Sequence, residues 1–94
     1  MITTIAAIVA AVIGTRIVVL TFSKVREWMR RRKVPQGTGE IISERLAKGE
    51  YAVVGGVFSP QGTLIAQKRW TAKELDDALS EELRKTGGKI VVNL

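Results

Sequence analysis

The sequence predicts an α+β protein in two parts: a long N-terminal transmembrane helix, then a small cytoplasmic domain of order α-β-β-α-β. Three observations predict it. Residues 2–22 are almost wholly apolar. A dense run of Lys and Arg follows at once. The rest of the chain divides at turn residues into helix-like and strand-like segments.

The 94 residues suffice for one small domain and an anchor. The formal net charge is +6, and its distribution matters more than its sum. Residues 1–39 hold seven Lys or Arg against the single acid Glu27, while residues 40–94 hold eight basic and eight acidic residues. The whole excess therefore lies ahead of the expected domain. Cys and His are both absent, which excludes disulfides, thiol chemistry and imidazole ligation.

The apolar segment spans 21 residues, of which eleven are Ile, Val, Leu or Phe and one is Arg16. A helix of that length is about 31 Å long, close to the roughly 30 Å of a bilayer core. Eleven such residues at about −0.3 to −0.6 kcal/mol each offset one central Arg at about +2.5 to +3.5 kcal/mol. Arg16 lies toward the basic end, within snorkelling reach of the interface. On a helical wheel Ala6, Ala10 and Gly14 stack at intervals of four, a small-residue face suited to packing against a partner helix or a second copy.

The segment after it, KVREWMRRRK, carries Lys24, Arg26, Arg30, Arg31, Arg32 and Lys33 around Trp28. Cations only on the C-terminal side of a span place the N-terminus outside and the remainder in the cytoplasm. Together with Arg16, these residues are the expected contacts to lipid headgroups, and Trp28 marks the interface. The helix should continue to about residue 34, with Val18, Phe22, Val25, Trp28 and Met29 on one side. Pro35 stops it, and residues 35–39, PQGTG, read as a linker.

Residues 40–94 then form the domain. EIISERLAKG is read as an amphipathic helix with Ile41, Ile42 and Leu46 on one face and Gly49 as its stop. YAVVGGVF and TLIAQKRW are strands joined by the turn SPQG into a β-hairpin. Thr71 and Glu74 form a capping box, with Trp70 and Leu75 as a hydrophobic staple, opening a helix from about 72 to 85. Leu75, Ala78, Leu79 and Leu83 are its buried face, and Gly87 and Gly88 end it. KIVVNL is the last strand. A three-stranded sheet of order 2-1-3 follows, with the hairpin and its open edge as the expected protein contact.

No catalytic constellation emerges. Asp76–Asp77 and Glu81–Glu82 are adjacent on a helix, so their carboxylates diverge by about 100°. The glycine-bearing segments match no phosphate-binding fingerprint. An enzyme, a cofactor and a small-molecule substrate are not expected. The leading expectation is a single-pass cell-membrane protein that presents an interaction or accessory-subunit domain to a protein partner or to further copies of itself. The alternative is a soluble oligomeric assembly subunit whose N-terminal helix is buried between copies and whose basic run touches nucleic acid. Nucleic acid ranks behind lipid because the basic run directly follows the apolar one.

Overall fold

A computed structural model describes residues 14–94. In chain order the elements are β1 (Thr15–Leu20), α1 (Phe22–Arg30), β2 (Thr38–Arg45), β3 (Tyr51–Phe58), β4 (Leu64–Leu75), α2 (Asp77–Lys85) and β5 (Lys89–Asn93). The five strands make one sheet of order β1-β4-β3-β2-β5. β2, β3 and β4 run antiparallel in succession, β5 pairs antiparallel with β2, and β1 pairs parallel with β4.

The transmembrane reading is corrected at β1. Residues 15–20, TRIVVL, lie inside the expected span but form a strand, with Thr15 opposite Trp70 and Leu20 opposite Leu75. Among the described residues, no helix is long and apolar enough to cross a membrane. A single-pass protein with its N-terminus outside is therefore not supported. The physical reason is the β-branched content of the segment. Ile17, Val18 and Val19 suit a pleated ladder as well as they suit lipid, and β4 offers an unpaired edge to complete. Ala6 and Ala10 of the expected packing face lie outside the described residues. Gly14 precedes β1 and sits against the backbone carbonyl of Arg69, not on a helix.

The pleat divides the sheet into two faces. Register aligns Ile41, Val53, Val57, Trp70, Ala72 and Ile90 on one of them. These join Val25 and Met29 of α1 and Leu79 and Leu83 of α2 in the main core. Both helices thus cover the same face. The opposite face carries a smaller cluster of Val54 and Phe58 with Ile42. Beside it Glu40 is fully buried, with Lys89 Nζ 3.3 Å from its Oε1.

Three further expectations are overturned. Residues 40–49 were expected as a helix, yet β2 takes 38–45. Flanked by β3 and β5, β2 buries alternate residues on alternate faces: Gly39 and Ile41 toward the helices, Glu40 away from them. Gly49, at φ +82°, turns the chain into β3 instead of ending a helix. The capping box at Thr71 does not form, because β4 runs on to Leu75 with β1 laddered along it. Trp70 is accordingly mid-strand and not a staple. The cap falls five residues later, on Asp76. Finally, the sheet has five strands and not three, and β5 joins β2 and not β3. The β3–β4 hairpin exists but has a neighbour on each side, so among the described residues the sheet's outer strands are β1 and β5.

Asp76 links the two helices. Its Oδ1 accepts from Leu79 N at 2.9 Å, as an N-cap should, and also from Phe22 N at 3.1 Å, the first residue of α1. Its own N–H donates to Leu20 O at 3.0 Å, extending the β1–β4 pairing by one bond. Thr21 caps α1 through Oγ1, which accepts from Lys24 N at 3.1 Å. Residues 35–39, read as a linker, hold a turn and the start of β2, and Gly37 O accepts from Leu94 N at 3.0 Å.

Candidate functional site

α1 decides where the positive charge goes. At 100° per residue Val25 and Met29 point at the sheet, and both are fully buried. Lys24, Trp28, Arg31 and Arg32 then fall on one flank, while Arg26 and Arg30 fall on the other. The helix sits close to the sheet because Gly39 and Gly55 lie beneath it. A Cβ on Gly39 would stand 2.4 Å from Met29 Sδ. A Cβ on Gly55 would stand 3.3 Å from Trp70 Cζ3, 3.4 Å from Met29 Cε and 3.6 Å from Trp28 Cζ3. Absent these side chains, two indoles share the space over β3.

Trp28 and Trp70 meet edge to face, with ring centroids 5.6 Å apart at 89°. Such pairs contribute about 0.5–1.5 kcal/mol beyond the area they bury. Trp70 is only 1% exposed, whereas Trp28 is half-buried and reaches the surface. Each ring carries a cation. Arg32 Cζ lies 5.3 Å from the Trp28 centroid, and Lys68 Nζ lies 5.5 Å from that of Trp70.

These residues line a cleft of about 560 Å³ bounded by Lys24, Glu27, Trp28, Arg31, Arg32, Lys68 and Trp70. Four cations face one carboxylate. Glu27 is bound to Arg31 across one helical turn, an exposed pair worth about 0.3–0.5 kcal/mol that an anionic ligand can readily displace. The Trp70 Nε1–H is buried and has no hydrogen-bond acceptor among the described residues. That is an uncommon state for a buried indole.

Of the residues the sequence singled out, Lys24, Trp28, Arg31 and Arg32 are brought together here. Arg26 turns away, its guanidinium 4.8 Å over the Phe22 ring. Arg30 and Lys33 are exposed beside Val34, Pro35 and Leu94. Arg16 stands on β1, with Nη1 2.9 Å from Glu50 Oε2, so its partner is an acid of the same chain. Sequence reasoning missed Lys68 and the second role of Trp70. The signal was present: in the strand QKRW, residues two apart share a face, which puts Lys68 beside Trp70.

Among the described residues, no group of three or more acidic side chains is placed to hold a metal ion. Comparison of the chain with known protein families, curated proteins and solved structures finds no match.

Proposed function

We propose that this protein is a small nucleic-acid-binding module that engages phosphates through the cleft between α1 and β4. One observation carries the reading: four cations, from α1, the turn that follows it and β4, line one cleft together with a pair of tryptophans. Charge on a solvated helix face needs no such convergence, and Lys68 comes from a strand of the electrically neutral half of the chain. Phosphate contacts require positive charge, and aromatic surface beside them favours bases over carboxylates. With residues 15–20 in a strand, the reason for ranking lipid first is gone.

Measuring affinity for an oligonucleotide against salt tests this. Four phosphate contacts on a single strand give a log–log slope of about −3, so affinity should fall about fifty-fold between 50 and 200 mM salt. Reversing both Arg31→Glu and Arg32→Glu should lower affinity at 50 mM salt by more than tenfold and flatten the slope. No detectable oligonucleotide binding at 50 mM salt would sink the proposal. So would equal affinity for polyglutamate of matched charge.

A further inference from the structure

Resting on that reading, we propose that the cleft takes a single-stranded nucleic acid, with one base stacked on Trp28 and hydrogen-bonded by the buried Nε1–H of Trp70. Three observations meet here. Trp28 reaches the surface inside the cleft, and its ring carries the guanidinium of Arg32, a planar cation that a base can displace or sandwich. Trp70 stands perpendicular to Trp28 and braces it, so the stacking surface is fixed before binding. Trp70 carries the unmatched group: the residue lines the cleft, its Nε1–H is buried, and no acceptor among the described residues reaches that donor.

The ligand class follows from access. In a duplex the base faces are stacked on one another and the rings are closed to an indole. In a single strand the bases splay and can stack on aromatic side chains while the backbone follows the cations. The cleft volume of about 560 Å³ is within the range that encloses a ligand of nucleotide size. Lys24, Arg31, Arg32 and Lys68 stand around the tryptophans, so phosphates on either side of a stacked nucleotide find a cation. An indole N–H donates to any base carbonyl or phosphate oxygen, so the site selects unpaired bases without selecting a sequence.

The test uses the full chain and its own fluorescence, since Trp28 and Trp70 are its only tryptophans. Titrations at fixed salt compare oligo(dT), an abasic strand of the same phosphate count and a hairpin duplex. Oligo(dT) should quench the tryptophans and bind at least tenfold more tightly than either comparator. Trp28→Ala should weaken oligo(dT) about 5- to 150-fold, the range for one stacked base, and weaken the abasic strand by a much smaller factor. Trp28→Phe should recover most of the loss. Trp70→Phe, which keeps a ring and removes the donor, should cost a smaller factor. Equal affinity for all three ligands overturns the single-strand proposal while the nucleic-acid reading stands. Failure to bind any of them overturns both. The wild-type comparison of oligo(dT) with the abasic strand decides the matter even if a tryptophan variant does not fold.

Discussion

Replacing Asp76 with Ala removes one carboxylate oxygen on which two helices depend. Two consequences add. Loss of the α2 N-cap costs about 1 kcal/mol, within a range of about 0.5–2. Phe22 N–H, partly buried at the first position of α1, loses its acceptor, at a further cost of about 1–2 kcal/mol. The expected destabilisation is therefore about 2–3 kcal/mol. For a domain of this size that corresponds to a Tm lowered by about 10–20 °C. Urea denaturation followed by circular dichroism measures it directly, and the m-value should not change, because the surface buried on folding is the same. Asp76→Asn is the informative control. It keeps an oxygen in place and loses only charge at a helix N-terminus, worth about 0.3–1 kcal/mol. Hydrogen exchange adds spatial detail: in Asp76→Ala the amides of both first turns should lose protection together. If Asp76→Ala falls within about 0.5 kcal/mol of wild type, or if Ala and Asn behave alike, the shared cap does not hold the helices and the reasoning is wrong.

Two other substitutions probe the packing. Gly55→Val places methyl groups where Trp70, Met29 and Trp28 already approach within 3.3–3.6 Å of a bare Cβ. It should cost about 1–3 kcal/mol by overpacking and alter the near-ultraviolet dichroism of the indole pair, while Gly55→Ala does much less. Lys89→Ala removes a cation from the fully buried Glu40, and because Lys89 is itself 35% exposed, denaturation should show a loss of about 1–3 kcal/mol. A loss below 1 kcal/mol would mean that the remaining surroundings of Glu40 hold its charge without the lysine.

How legible the fold was depends on the element. The β3–β4 hairpin could be read because SPQG is strong turn chemistry between two β-rich runs. The strand β5 followed from KIVVNL after two glycines. Of Leu75, Ala78, Leu79 and Leu83, expected as one buried helix face, Leu79 and Leu83 are in the core, whereas Leu75 ends β4 and Ala78 is exposed. The errors share one cause. TRIVVL, EIISER and TAKEL each carry a local pattern that suits more than one structure. Their state was settled by which strand edge lay alongside: β4 for the first, β3 and β5 for the second, β1 for the third. Such pairings join residues 55 apart in the case of Thr15 and Trp70, and no local window contains them. The site shows the same division. The cations and Trp28 of α1 were singled out as a set, while their partner surface, Lys68 and Trp70, lies some forty residues away.

The sequence alone determined the composition of the chemistry: no thiol, no imidazole, a net charge of +6 concentrated before residue 40, and a helical segment with Val25 and Met29 on one side and most of its cations on the other. Those are properties of residue identity and of the 3.6-residue period. Only the tertiary structure decided that TRIVVL is a strand, that Arg16 meets Glu50, and that the basic run faces a second tryptophan across a cleft. Each of these rests on a non-local contact, and its free energy exists only once the sheet has brought distant segments together.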